Sequence, residues 1–247
     1  MRKSYCTLHK AAYTSHMNII SDAEYRLIGT SRAPLLIVDN VSDEAEQVSA
    51  VAADLCPFPT AKGNFYPGLR RFITARDTAA AAYVRKTLQS LAGRINRAFG
   101  IDGFDLLEAS FSMITASPDT LLPAQRVPHF DSTDPRYLAV LHFLSDTPDT
   151  GTAFFRQRET GIEQVTSANR AAFVAAAQQD AAATSGYIGA SNPAYEQIAR
   201  VEALRDRLIV YPGSMLHSGV IPAGMIFSPD PRVGRLTANF FIRGRPR

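Results

Sequence analysis

A mainly β domain of the sandwich or barrel type, flanked by helices, is predicted by three observations. From Phe104 onward the chain breaks into short apolar runs separated by Pro, Gly, Asp and Thr, the pattern of many strands joined by turns. Ahead of that point stand two stretches of helical character. The 247 residues, 46% of them hydrophobic, are enough for one large core. A single domain over 1–247 is therefore expected, with a strand and supporting helices in 1–103 and the β core in 104–243.

In chain order, residues 1–33 show no clear period and are expected to wrap the body as an arm. Leu35-Leu36-Ile37-Val38 is a compact apolar strand ended by Asp39-Asn40. Ser42 then opens a helix as its N-cap, with Asp43 and Glu44 suiting the positive helix end. That helix stops near Leu55, because Pro57 and Pro59 cannot continue it. Over 77–99, Ala81, Val84, Leu88, Leu91 and Ile95 recur at three- and four-residue steps, which predicts a long helix leaving through Gly100. Strands are predicted at 105–115, 126–131, 137–144, 151–156, 208–211, 215–219 and 235–242. Between them, 168–184 and 193–204 are read as helical, so 157–206 is expected to be a helical insertion that serves as a lid or plugs one end of the barrel.

Composition sets limits on function. The formal charge is +3 and the basic residues are scattered, apart from a C-terminal group whose last arginines are best read as a solvated tail. No nucleic-acid reading element accompanies them, so no nucleic-acid partner is expected. Cys6 and Cys56 lie far apart and lack metal-finger spacing. The amino-terminal residues carry no signal-like apolar run, and no stretch reaches the length of a membrane span. A cytoplasmic protein without membrane attachment is expected; the oligomeric state is not legible.

Chemistry gathers in three segments. In Arg126-Val127-Pro128-His129-Phe130-Asp131, His129 and Asp131 stand two apart in an extended run, and such residues share one face of a strand. A His-x-Asp pair by itself is weak, since polar residues alternate on any exposed strand. The second segment, Leu208 to Val220, changes the odds: His217 follows an apolar strand, a Pro-Gly turn and two bulky residues, an unusual setting for a surface histidine. Two histidines and one carboxylate on one side of a metal leave the other positions open, an arrangement suited to iron(II) and O2, whereas zinc is more often closed by a fourth ligand or one water. In the third segment, Gly234 to Ile242, alternation puts Arg235, Thr237 and Asn239 on one face and Leu236, Ala238, Phe240 and Ile242 on the other. A guanidinium pointing into a barrel needs an anion, and its planar fork fits a carboxylate, with the Thr237 hydroxyl adding a hydrogen bond. An outward salt bridge from Arg235 is the competing reading.

On these residues the chain resembles the iron(II)/2-oxoglutarate-dependent dioxygenase superfamily, in particular its prolyl 4-hydroxylase-like branch, over roughly 105–243. Pro128-His129-Phe130-Asp131 is similar to the family's first ligand strand. Leu141-His142-Phe143-Leu144 and Gly151-Thr152-Ala153-Phe154-Phe155 match its next strands, Tyr211-Pro212-Gly213 to His217-Ser218-Gly219 the distal histidine, and Gly234-Arg235-Leu236-Thr237 the strand gripping 2-oxoglutarate. Pro34 to Asn40 and Tyr66-Pro67-Gly68-Leu69-Arg70 are similar to a bacterial branch with no assigned substrate. The resemblance implies a double-stranded β-helix (jelly roll, cupin-like) with N-terminal helices packed on its major sheet. It further implies Fe(II) at His129, Asp131 and His217; 2-oxoglutarate at Arg235 and Thr237, with Leu141 and Phe143 facing it; and O2 as oxidant. The products would be succinate and CO2, with hydroxylation of a C–H bond in a small-molecule or peptidyl substrate. Related halogenases lack the carboxylate present here as Asp131. The separation of His217 from Arg235 by 18 positions, with three prolines after Ile221, departs from many relatives. A cupin-like metalloenzyme that does not use 2-oxoglutarate, and a non-catalytic sensor on the same barrel, are the alternatives.

The remaining polar residues carry weaker signals. Alternation sends His142 to the face away from Leu141 and Phe143, which removes it as a ligand. His9 and His16 are read as surface residues. Arg70 and Arg71 follow a Pro-Gly pair and are read first as a solvated turn, with contact to an anionic substrate as the second reading. Asp134 and Arg136 are candidates for the rim of the entrance, and Asn239 for support of the site.

Overall fold

The computed structural model describes residues 23–63 and 65–247. The arm expected over 1–33 lies mostly outside the described residues, as do His9 and His16. Its last part is a strand, β1 (Ala23–Ile28), pairing antiparallel with β2 (Ala33–Val38). Thereafter come α1 (Ala45–Asp54), β3 (Gly68–Phe72), α2 (Thr78–Phe99) and β4 (Ile101–Ile114). The remainder comprises β5 (Tyr137–Phe143), β6 (Gly151–Gln157), α3 (Arg170–Ala183), β7 (Tyr195–Glu202), β8 (Leu208–Pro212), β9 (His217–Val220) and β10 (Leu236–Pro246). The described chain is mainly β, with three α-helices.

Two antiparallel sheets form, a seven-stranded one in the order β1-β2-β8-β5-β10-β4-β3 and a three-stranded one in the order β7-β6-β9. The sheets pack face to face through Leu35, Ile37, Phe143, Ile209 and Tyr211 of the larger and Phe154 and Val201 of the smaller. The ring of Phe154 meets Tyr211 edge-on at 5.1 Å. On its other face the larger sheet is covered by α1 and α2, whose Val48, Ala52, Val84, Leu88, Leu91 and Ile95 bury against Phe111, Val140, Val210 and Phe240. The three-residue rhythm read in 77–99 therefore marks a real buried face, and Gly100 adopts the left-handed conformation that ends α2 (φ 65°). Outside the smaller sheet, α3 packs Phe173, Ala177 and Ala181 on Phe155 and Tyr195.

Three local expectations are corrected. Residues 193–204, read as helical, contain β7, the edge of the smaller sheet; only α3 in the expected insertion is an α-helix. The sequence Tyr195-Glu-Gln-Ile-Ala-Arg-Val-Glu202 favours helix by propensity, and a register shift opposite Phe154/Phe155 breaks its period of two, but pairing with β6 overrides both. Ser42 does not cap α1, which starts beyond Glu44. Its hydroxyl donates instead to Asp206 at 2.7 Å. Finally, Tyr66-Pro67-Gly68 leads directly into edge strand β3. A Cβ on Gly68 would fall 1.9 Å from the Met113 carbonyl oxygen, so only glycine lets β3 lie this close to β4. Among the described residues no helix is long and apolar enough to cross a membrane.

Candidate metal centre and its cavity

The predicted strand at 126–131 reduces to a single bridge, since Pro128 has no N–H to extend a ladder. That bridge is His129 to His217: each backbone N–H donates to the other's carbonyl, at 2.9 and 2.8 Å. The two residues are thus directly opposite on antiparallel strands, and their rings stand 4.2 Å apart. Asp131 is held two residues on by its N–H to the Gly213 carbonyl at 2.7 Å. A Cβ on Gly213 would lie 2.5 Å from the Tyr137 ring and 3.3 Å from the Asp131 Cβ, so the Pro212-Gly213 turn admits both neighbours only because it is side-chain-free.

One ligand-type atom from each of His129, Asp131 and His217 lies within 4.8 Å of the others. Nε2 of His129 is 3.9 Å from Asp131 Oδ1, and Nε2 of His217 is 3.8 Å from Oδ2. These gaps exceed hydrogen bonds, and Asp131 Oδ2 is buried without a hydrogen-bond partner among the described residues. Nδ1 of His217 lies 2.9 Å from the Met215 carbonyl, which can only accept, so Nδ1 carries the proton and the Nε2 lone pair faces the cluster.

The surroundings disfavour charge on every member. Burial pushes His217 down to about 4 against the opposing hydrogen bond to Met215. His129 also falls to about 4, through desolvation and the neighbouring His217, with Asp131 opposing. Its side chain keeps 44% of its accessible surface because it lines the cavity. Burial lifts Asp131 to about 6, although His129 and Arg70 pull the other way. Two neutral imidazoles and an unsatisfied carboxylate are the donor set of a divalent cation, whose own charge would reverse the pKa pattern. The donor set therefore fits Fe(II).

The cluster opens into a cavity of about 1030 Å3 that also receives Arg235, Thr237, Asn239 and Leu141. Arg235 is only 5% exposed, and its one side-chain hydrogen bond among the described residues runs from Nη2 to the Gly151 carbonyl at 3.2 Å. Nε has no partner, and no ion pair among the described residues includes this side chain. Burial lowers its pKa, with Tyr66 and Tyr187 opposing. The outward salt bridge considered from sequence is thus absent from the described residues. Thr237 sits beside it, its hydroxyl 3.4 Å from the Ser112 carbonyl and 3.3 Å from Asn239 Nδ2.

Phe143 does not line the cavity. It packs in the inter-sheet core with the Arg235 guanidinium 5.7 Å from its ring, so its part is to carry the arginine. His142 projects to the helical side, where it meets the Tyr83 hydroxyl at 2.7 Å and Asp206 Oδ1 at 2.9 Å, away from the cluster. Asp134 pairs with Arg243 at 2.9 Å, and neither it nor Arg136 lines the cavity. Sequence reading missed the contributions of Tyr66 and Tyr187, whereas the helix expected at 168–184 is α3, which lines the cavity. Both tyrosines come from irregular segments whose return to the site no periodicity announces.

The arrangement is an antiparallel two-sheet fold with a His-Asp-His cluster between the sheets. Its backbone is similar to that of the non-heme alpha ketoglutarate dependent epimerase SnoN from nogalamycin biosynthesis, at a TM-score of 0.53 and 14% identity, covering 87% of this chain and 82% of that one. A prolyl-4-hydroxylase from Pseudomonas putida gives a TM-score of 0.43 and 16% identity over 87% and 95% of the two chains. HygX from Streptomyces hygroscopicus, with nickel and 2-oxoglutarate bound, gives 0.49 and 14% over 85% and 82%. No curated protein matches the chain. By a family-model match over residues 21–242, the chain belongs to the Family of unknown function (DUF6445).

Proposed function

We propose that this protein is an iron(II)- and 2-oxoglutarate-dependent oxygenase on a double-stranded β-helix, a single domain that hydroxylates a C–H bond of a small-molecule or peptidyl substrate. One observation carries the reading: a His-Asp-His cluster and a buried, unpaired arginine share one cavity. His129 and His217 would hold the metal through Nε2, and Asp131 through its carboxylate. Met215 keeps His217 in the tautomer that binding needs. Arg235 would grip the distal carboxylate of 2-oxoglutarate, where a buried guanidinium without a counter-ion gains most from an anion. Thr237 adds a hydroxyl beside it.

With iron(II), 2-oxoglutarate and O2 bound, the centre supplies oxidative decarboxylation: one oxygen atom enters succinate as CO2 leaves, and the other enters the substrate C–H bond. The chain's own contribution is to place the keto acid and substrate on the open side of the cluster. The apolar walls around it, among them Phe130, Phe173 and Val127, exclude water from that side.

Anaerobic reconstitution tests the reading. Wild type is expected to take up one Fe(II) and to develop a visible charge-transfer band on adding 2-oxoglutarate. Arg235→Ala should keep the metal but weaken 2-oxoglutarate by roughly ten- to a hundredfold, the range for a lost charged hydrogen bond of about 1.5–3 kcal/mol. His217→Ala should lose stoichiometric iron. Unchanged 2-oxoglutarate affinity in Arg235→Ala removes that residue from the site, and a wild type that binds no iron sinks the oxygenase reading.

A further inference from the structure

Arg70 is a cation in the same cavity that the proposed chemistry leaves unused. Strand alternation separates it from its neighbour: Arg71 pairs with Asp77 at 2.7 Å, while Arg70 lines the cavity. The guanidinium of Arg70 is held in place from several sides. Nε donates to Ser110 Oγ at 2.9 Å and Nη2 to Glu108 Oε1 at 2.8 Å, and the group stands 5.3 Å from the ring centres of both Phe72 and Phe241. Nη1 donates to no described residue, and the side chain keeps 21% of its accessible surface. Glu108 is not part of the cavity lining, so it orients the guanidinium without occupying the space in front of it.

On the oxygenase reading 2-oxoglutarate is engaged at both ends, at the cluster and at Arg235, which leaves Arg70 for a different molecule. Phe143, beneath Arg235, pairs with Thr237, whereas Arg70 stands over Phe241, four residues further along β10. Arg70 reaches Ser110 and Glu108, which pair with Asn239 and Phe241, so the two guanidinium groups address different parts of the cavity lining. A cavity of about 1030 Å3 has room for a second molecule beside the keto acid, and Phe130, Phe173, Val174 and Ala177 give it an apolar wall.

Resting on the oxygenase reading, we propose that Arg70 binds the oxyanion head of the prime substrate, a small organic anion whose apolar body packs on the α3 wall. The pair with Glu108 leaves the in-plane N–H groups of Nη1 for that head, and the two rings fix the direction of the guanidinium.

The test uses the Mn(II)- and 2-oxoglutarate-loaded protein with two fluorescent probes, the anion 8-anilinonaphthalene-1-sulfonate and its neutral counterpart N-phenyl-1-naphthylamine. Wild type should bind both at one site. Arg70→Gln should weaken the anion about tenfold and leave the neutral probe within twofold. Glu108→Gln should tighten the anion, because a competing carboxylate is gone, an opposite sign that a purely structural role for the pair does not produce. The proposal is overturned if wild type does not bind the anion, if Arg70→Gln leaves it unchanged or weakens both probes alike, or if Glu108→Gln weakens it. Titration of 2-oxoglutarate in the same samples separates the two ideas. Normal keto-acid binding with a charge-blind probe site removes Arg70 alone, whereas absent keto-acid binding in wild type removes the oxygenase reading.

Discussion

Glu163 shows how one buried side chain far from the cluster in sequence supports it. Its carboxylate accepts from the Thr30 N–H at 3.1 Å, the Thr30 hydroxyl at 2.9 Å, the Ser31 N–H at 2.9 Å and Arg156 Nε at 2.8 Å, while its backbone carbonyl accepts from Leu216, the residue before His217. Burial alone would raise its pKa, but these donors outweigh it and hold the group at about 2, against an ordinary 4.5. A depressed carboxylate stabilises the folded state above its unfolded pKa and loses that contribution as pH falls from about 4.5 towards 2. At about 1.4 kcal/mol per unit, Glu163→Gln should cost on the order of 3 kcal/mol at pH 7, and the gap to wild type should shrink steadily below pH 4.5. Urea unfolding at pH 7, 4 and 3 checks this; a gap independent of pH would show that the charge is not what stabilises. No sequence pattern marks Glu163, whose partners Thr30 and Ser31 stand more than a hundred residues away. By contrast, the nearness of His129 to Asp131 was legible because they stand only two residues apart, and the orientation of Arg235 because its neighbours alternate cleanly.

At the scale of elements, legibility followed the strength of the local period. The helix read at 77–99 and the strand read at 235–242 correspond to α2 and β10, in which buried positions repeat every three to four or every two residues. The strand β1 leaves most of its residues exposed on both faces, and β7 carries a bulge, so neither gives a period to read. Alanine-rich α3 was visible as a helix, but its place as a cavity wall depends on tertiary packing. Ala177 lies on that wall, buried against Phe155 and Val165 in the same cluster. Ala177→Phe is expected to fill part of the cavity and weaken both naphthalene probes by at least fivefold, at an overpacking cost of about 1–3 kcal/mol in stability. Iron and 2-oxoglutarate binding should persist. Retention of both probes at wild-type affinity would place the substrate space elsewhere than beneath α3.

For the whole molecule, the decisive contacts join segments distant in sequence, which is why strand order was not legible even where strands were. The cluster draws one histidine from the segment before β5 and another from β9, while Arg235 stands at the entry to β10, between the cavity and Gly151 of the smaller sheet. A cation coordinated by residues 129, 131 and 217 would tie these segments together, and 2-oxoglutarate would connect that tie to β10. On the proposed function both ligands would bind the folded chain only, so each should raise the unfolding temperature by mass action, by about 2.7 kcal/mol at a hundredfold excess over Kd. For a chain of this size that is roughly 5–10 °C per ligand. Thermal unfolding with Mn(II), then Mn(II) plus 2-oxoglutarate, should show two increments, both reversed by EDTA if the keto acid binds through the metal as proposed. Arg235→Ala should retain the first increment and lose most of the second, and Asp131→Asn should lose both. A keto-acid increment that survives EDTA would mean that 2-oxoglutarate does not bind through the metal, and the cluster and the arginine would then belong to two separate sites.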